Sequence, residues 1–129
     1  MTGYRPHRPA GGARPGPALL VAIVASLADA DRAVAAGADM IDASGLTGPD
    51  AAAFRGRHPG LPLWRGSPAA ADADHAGTAA AVVATAAVLA WLGTPAIRTR
   101  HVLPVRRAID MTSSIAGTRL PALTTRGLA

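Results

Sequence analysis

The chain has 129 residues, of which 50% are hydrophobic and 3% aromatic, and its formal net charge at pH 7 is +5. This length suits one compact domain and is too short for a complete eight-fold β/α barrel, which needs about 250 residues. The sequence contains no cysteine and no lysine. That composition excludes disulfides, thiol nucleophiles, Schiff bases and a lysine general base.

Both ends of the chain differ in composition from its middle. Residues 1–17 are rich in proline, glycine and arginine, which predicts a disordered tail. Residues 18–117 are expected to form one β/α domain, followed by a C-terminal tail or arm over residues 118–129. The sequence shows no secretory signal, and the apolar run over 76–92 falls short of the roughly 20 residues of a membrane span. We therefore predict a cytoplasmic protein without a membrane anchor.

The first predicted unit is a strand, a helix and a second strand. Leu19–Val24 is a continuous apolar run, typical of a strand that is covered on both faces. Ser26 is a suitable N-cap for a helix over Leu27–Ala36, and Gly37 is a suitable residue to end it. Ala38–Ala43 then reads as the second strand.

The middle of the chain predicts a short helix and a third strand. Asp50 is a candidate N-cap for a helix that runs to Arg57. Leu61–Trp64 reads as the third strand, and Pro62 within it favours an edge position. Arg65–Asp72 reads as a loop.

The last third predicts a long helix, a fourth strand and a final helix. Asp74 or Thr78 can cap the alanine-rich helix that ends at Gly93. Ala96–Arg98 is the fourth strand, and Val105–Ile115 the last helix. Regular alternation of strands and helices predicts the α/β class, with a parallel sheet and right-handed crossovers.

Three cationic residues, Arg98, Arg100 and His101, lie at the end of the fourth predicted strand. The carboxyl ends of parallel strands are where such folds bind anions and small molecules, and the guanidinium fork suits phosphate. Residues two apart on a strand point the same way, so Arg98 and Arg100 converge if the strand continues. The alternative is a solvated strand end at which arginine pairs with aspartate.

A second group of candidates follows the second strand. Asp42 is placed to accept hydrogen bonds from a heterocycle or to act as a base; alternatively it forms a salt bridge with Arg98 across the sheet. The loop residues Ser44, Gly45 and Thr47 offer backbone amides to a phosphate, or form an ordinary turn.

The other polar residues predict structural roles. Asp39 begins the second strand and is expected at the opposite end of the sheet, and Arg106 and Arg107 on the outer face of the last helix. No two histidines have the spacing of metal ligands, so no metal site is predicted. Aromatic residues for base stacking are scarce and no recognition motif is present, so nucleic-acid binding is not expected.

Two blocks of the sequence resemble the dihydropteroate synthases. In residues 32–45 a helix ends at Gly37–Asp39 and a strand reads Met40–Asp42, as in a segment of that family. Gly93–Val102 is similar to the family's last strand, which ends in an Arg-Val-His-Asp-Val motif.

The resemblance implies roles for particular residues. Arg98 matches the family's Arg, whereas Arg100 stands where the family has His and His101 where it has Asp. In that family the Arg and the His hold the diphosphate of the pterin substrate. Asp42 matches the strand Asp, and Thr47–Pro49 matches a shortened Ser-Thr-Arg-Pro loop.

The chain also departs from the family. The opening Asn-Val-Thr-Pro-Asp-Ser-Phe motif is missing, and a chain without Lys or Asn lacks the catalytic-loop lysine and the pterin-ring asparagine. The resemblance therefore implies a protein that binds a phosphorylated or pterin-like small molecule, without the standard dihydropteroate synthase activity and with no cofactor. Two alternatives stay open: a small dimeric enzyme that acts on a phosphorylated substrate, with Asp42 as acid or base, and a non-catalytic subunit that completes a paralogue's barrel.

Leu19–Ala43 is also similar to a second barrel family, the (5-formylfuran-3-yl)methyl phosphate synthases, whose key lysine is again absent. Both resemblances imply that the four β/α units form a parallel-sheet half-barrel, in which the last strand pairs with the first. Exposed sheet edges favour pairing with another chain. We therefore expect a homodimer, or a complex with a barrel-completing paralogue.

Overall fold

A computed structural model describes residues 16–117 of the chain. Residues 1–15 of the predicted N-terminal tail over residues 1–17 lie outside the described residues, as does the whole predicted C-terminal tail over residues 118–129. The described part contains four strands and four helices, which alternate along the chain apart from two short 3-10 turns. The elements are β1 (Leu19–Ile23), α1 (Leu27–Ala35), β2 (Met40–Asp42), a 3-10 turn (Ala43–Gly45), α2 (Gly48–Arg57), β3 (Ala71–Asp72), a 3-10 turn (Asp74–Ala76), α3 (Ala79–Trp91), β4 (Ala96–Thr99) and α4 (Val102–Ala116).

Three of the four described helices, α1, α2 and α3, begin at hydroxyl caps. Ser26 Oγ accepts a hydrogen bond from the Asp29 amide at 3.1 Å, which confirms the predicted cap of α1. The cap of α2 is Thr47, whose Oγ1 accepts from the Asp50 amide at 3.2 Å. The prediction that Asp50 caps α2 was therefore wrong, because α2 starts two residues earlier and places Asp50 within its first turn.

The long helix α3 is capped by Thr78, whose Oγ1 accepts from the Ala81 amide at 3.2 Å. Of the two predicted alternatives, Asp74 makes different contacts, described below. No helix within residues 16–117 is long and apolar enough to cross a membrane.

The four strands form one sheet in the order β2-β1-β4-β3, and every pair is parallel. The predicted α/β class with a parallel sheet is confirmed. The last strand lies beside the first, with Leu20 opposite Ile97 and Val21 opposite Arg98.

The prediction of a third strand at Leu61–Trp64 was wrong. This segment makes one parallel bridge, between Leu63 and Ile41, through the bonds from the Ile41 amide to the Pro62 carbonyl (3.2 Å) and from the Trp64 amide to the Ile41 carbonyl (2.7 Å). The chain then leaves the edge of β2, and β3 forms on the opposite edge, beside β4, from two residues that were predicted to lie in a loop.

One hydrophobic core lies on one face of the sheet. Alternate residues of β1 (Leu20 and Ala22) join Ile41 and Ile97 in this core. All four helices contribute to the same core, through Ala30, Ala33, Phe54, Val82, Ala86, Val102, Val105 and Ile109. Because side chains alternate along a strand, the other face carries Val21, Ile23, Asp42 and Arg98. The helices therefore cover one face of the sheet, and the polar pair lies on the other.

A polar cluster joins α4 to the amino end of the sheet. Asp39 Oδ2 accepts from the Leu20 amide at 2.8 Å and from Arg106 Nη1 at 2.8 Å. Arg106 Nη1 also donates to the Gly37 carbonyl at 3.2 Å. Asp39 thus has the predicted structural role, but the prediction that Arg106 lies on the outer face was wrong: its side chain is only 16% exposed. Position 106 shares the inward stripe of α4 with Val102 and Ile109, at helical spacings of four and three.

A second polar contact joins α1 to α2. Asp31 of α1 pairs with Arg57 at the end of α2 and with His58 Nε2, which lies 2.8 Å from Asp31 Oδ1. These partners, the His58 contact first, hold the pKa of the Asp31 carboxyl below its ordinary value. The His58 ring also lies 4.9 Å from the ring of Phe54, so the ion pair borders the core.

Candidate functional site

An aspartate and an arginine meet on the face of the sheet that the helices leave uncovered. Asp42 ends β2 and Arg98 lies in β4, with β1 between them. Asp42 Oδ2 is 3.1 Å from Arg98 Nε, and the Asp42 side chain is 7% exposed, against 33% for Arg98. Of the two predicted roles for Asp42, the structure shows the salt bridge across the sheet.

The Asp42–Arg98 contact is an ion pair without good hydrogen-bond alignment. Although Nε is close to the carboxylate, it is buried and has no hydrogen-bond partner of suitable geometry among the described residues. The other carboxylate oxygen, Oδ1, accepts from the Ser44 amide at 3.0 Å. The adjacent 3-10 turn therefore fixes the carboxylate, whereas the guanidinium keeps an unused donor.

Trp64 packs against the same guanidinium. Arg98 Cζ lies 5.6 Å from the centre of the indole ring, which is within the range of a cation–π contact. The indole Nε1 donates to the Pro68 carbonyl at 2.8 Å, so the segment after Leu63 is anchored above the arginine. The Arg98 guanidinium therefore contacts Asp42 through Nε and the Trp64 indole through Cζ.

A cleft of about 520 Å³ opens beside this pair. Besides Asp42, Arg98 and Trp64, the cleft is lined by Ala43, Ser44, Ala51, Arg55, Leu63, Arg65 and Gly66. Arg55 and Arg65 form no ion pair with a described residue. Among the described residues, three arginines and one aspartate therefore line the cleft, which gives this lining a net positive charge.

Sequence reasoning did not select Arg55, Arg65 or Trp64. Arg55 lies on a helix and Arg65 in a loop, and neither position carries a local signal that places it next to Arg98. Arg55 lines the cleft from α2. Arg65 lines it because the chain after α2 pairs with the β2 edge at Leu63, two residues before Arg65.

Arg100 and His101 do not join Arg98. β4 ends at Thr99, and Arg100 lines a separate cleft of about 210 Å³ with Asp29 and Arg32 of α1. The Arg32 guanidinium, together with the Ala25 amide, holds the pKa of the Asp29 carboxyl below its usual value. His101 immediately precedes α4 and makes no side-chain capping bond. The expectation that Arg98 and Arg100 converge required the strand to continue past Thr99, and it does not.

Asp74 binds the last residue of β4 and the residue that follows it. Asp74 Oδ1 accepts from the Thr99 hydroxyl at 2.6 Å, and Asp74 Oδ2 accepts from the Arg100 amide at 2.8 Å. Thr99 Oγ1 in turn accepts from the His101 amide at 2.9 Å, and Thr99 is fully buried. The Arg100 amide therefore donates to the Asp74 carboxylate in the 3-10 turn after β3, and not to a neighbouring strand.

Of the loop candidates, only Ser44 reaches the large cleft. Gly45 packs against the end of β1, where a Cβ atom would lie 2.6 Å from the Val24 carbonyl oxygen. Thr47 is engaged as the cap of α2. In the part of the chain that the structure describes, no group of three or more histidine and acidic side chains is arranged to hold a metal ion.

No protein-family model matches the chain, and neither a curated protein nor a solved structure does. The similarity to dihydropteroate synthases therefore rests on the sequence blocks described above.

Proposed function

We propose that the chain is a dihydropteroate synthase-like protein that binds a phosphorylated or pterin-like small molecule in the Asp42–Arg98 cleft, without the standard dihydropteroate synthase activity. The observation that carries this proposal is the ion pair of Arg98 with a buried carboxylate, in a cleft that two further guanidinium groups line. The excess of positive charge favours an anionic ligand, and arginine binds phosphate through paired donors.

The Arg98 side chain is available to such a ligand. Asp42 approaches its Nε atom, and the side chain remains one-third exposed at the cleft. Ser44 lines the same cleft, so a ligand there lies near both charged residues and a neutral polar residue. The absence of Lys and Asn from the sequence argues against the standard reaction.

We propose further that the sheet is a half-barrel. The step from β3 to β4 and the step from β1 to β2 run in the same direction across the sheet, and all four helices pack on one face. That arrangement is typical of a barrel segment, because doubly wound sheets carry helices on both faces. The two sheet edges give a second copy, or a barrel-completing paralogue, a place to pair.

Arg98→Ala is expected to weaken the binding of pyrophosphate and of a dihydropterin diphosphate by at least about ten-fold, because it removes the guanidinium at the centre of the cleft. Calorimetric titration of the full chain measures this. Arg107→Ala is the matched control, since Arg107 is exposed on α4 and lines neither cleft. Equal affinities for wild type and Arg98→Ala, or no saturable binding by wild type, contradict the proposal.

Asp42→Asn distinguishes the binding protein from the enzyme alternative. The substitution removes the one carboxylate among the described residues that line the cleft, so pyrophosphate affinity is expected to rise by about three- to ten-fold. If the chain is instead an enzyme with Asp42 as acid or base, wild type hydrolyses a dihydropterin diphosphate with water, to the hydroxymethyl dihydropterin and pyrophosphate. Asp42→Asn then binds the diphosphate but does not hydrolyse it. Unchanged or weaker pyrophosphate binding by Asp42→Asn contradicts the placement of the anion beside this carboxylate.

A further inference from the structure

Two adjacent helices expose large apolar side chains on the surface away from the sheet. On α3 and the residue after it, Val88, Trp91 and Leu92 are 58%, 61% and 73% exposed, and on α4 Met111 and Ile115 are 66% and 70% exposed. Ala87, Val88, Trp91, Thr112 and Ile115 line one groove of about 320 Å³ between the two helices. We call these five exposed side chains with their groove the α3–α4 face.

The α3–α4 face lies in a stretch of chain without charge. Residues 76–97, which include all of α3, contain no charged residue. A helix that is apolar all round is normally buried on every side. In the described part of the chain, however, only Val82 and Ala86 of α3 are fully buried. The outer side of α3 therefore has the apolar composition of a buried helix, but its side chains are exposed to solvent.

We propose that the α3–α4 face binds the same face of a second copy of this chain, across a two-fold axis. The five side chains are about two-thirds exposed, so they offer on the order of 500 Å² of apolar surface, a large part of the roughly 800 Å² that each partner contributes to a standard interface. Exposed apolar patches of this size mark interaction sites.

Charge does not oppose a second copy at this face. Two copies that each carry a net charge of +5 repel one another wherever their arginines meet. Contact through α3 avoids that repulsion, because α3 brings no charge to the interface. An acidic partner, by contrast, gains nothing from an uncharged helix and is better matched to the arginine-lined cleft.

The shape of the α3–α4 face also fits its own copy. A two-fold interface needs a surface that is complementary to itself. Here the exposed Trp91 indole lies beside a groove of about 320 Å³, so each copy presents both a side chain that can insert and a space that can receive it. The face is formed by the carboxyl-terminal ends of α3 and α4, whereas the Asp42–Arg98 cleft lies at the carboxyl ends of the strands. This dimer leaves the cleft open and does not depend on the proposed ligand.

The test is the molar mass of the full chain in solution, measured by light scattering and sedimentation across the micromolar range. Wild type is expected to change with concentration from one to two chain masses of 12.9 kDa. Val88→Arg places a charge in the centre of the face and is expected to remain a monomer, with unchanged far-UV circular dichroism because Val88 is exposed. Leu103→Arg is the matched control, since Leu103 is 45% exposed on the same helix layer but lies at the opposite end of α4 from Ile115.

Tryptophan fluorescence gives a second readout. In Trp64→Phe the remaining tryptophan is Trp91, and its emission is expected to shift to shorter wavelength as the dimer forms. A wild-type chain that stays monomeric overturns the proposal, even if the Trp91 emission indicates a buried indole. A dimer that forms equally in Val88→Arg, with no shift in Trp91 emission, also overturns it and indicates pairing through the sheet edges instead.

Discussion

Phe54→Ala is expected to lower the free energy of unfolding by about 3–4 kcal/mol, a range typical of large-to-small changes at buried aromatic sites. Phe54 is fully buried and is the largest buried side chain of the core. The rest of that core is built mainly from alanine, valine, leucine and isoleucine, which bury less area each. No other aromatic side chain of the described core compensates for the loss.

A domain of this size has only about 5–15 kcal/mol of total stability, so the variant is expected to unfold at much lower denaturant concentration. Urea titration followed by far-UV circular dichroism measures the change. Phe54→Leu is the matched control, with an expected loss of about 1–1.5 kcal/mol, because it keeps most of the buried volume. A loss below about 1 kcal/mol for Phe54→Ala contradicts the central place of this ring in the core.

Asp74→Ala is the second substitution with a large expected effect, a loss of about 2–3 kcal/mol of unfolding free energy. It removes a carboxylate that accepts from the Thr99 hydroxyl and from the Arg100 amide, and Thr99 is fully buried. The Thr99 hydroxyl is left without its acceptor, and hydrogen bonds to charged groups are stronger than neutral ones.

The same urea titration measures the change, and Asp50→Ala is its control. Asp50 is also an aspartate near a helix start, but its contact in α2 is made by its backbone amide, so the expected loss is at most about 1 kcal/mol from the helix dipole. Equal losses for the two variants contradict a specific role of Asp74 at the end of β4.

Sequence patterns predicted the elements whose residues carry their own signal. β1 is a continuous apolar run, and α1 starts at a serine cap and is followed by Gly37, which has a φ of +99°. One strand of the sheet, β3, had no such signal. β3 consists of an alanine and an aspartate, neither of which favours strands, and it forms only because β4 offers a free edge.

In the candidate site, too, some residues were predicted from local patterns and others were not. Asp42 and Arg98 were identified because each lies on a predicted strand, and their pairing was one of the two alternatives considered for Asp42. Arg100 failed to converge with Arg98 because the length of β4 depends on a contact from Asp74, 26 residues away in the sequence. Long-range contacts of this kind leave no periodic pattern, so local reasoning does not find them.

The length of the segment between Leu63 and Ala71 limits which insertions and deletions it tolerates. It begins beside β2 and ends beside β4, so it crosses four strand spacings, about 19 Å. Its eight peptide steps reach at most about 28 Å, which exceeds that distance by the reach of fewer than three residues. Loops usually accept both insertions and deletions. This one has room for added residues but for the loss of at most about two, since a still shorter segment cannot span the sheet and would remove the wall of the cleft that Trp64 and Arg65 form.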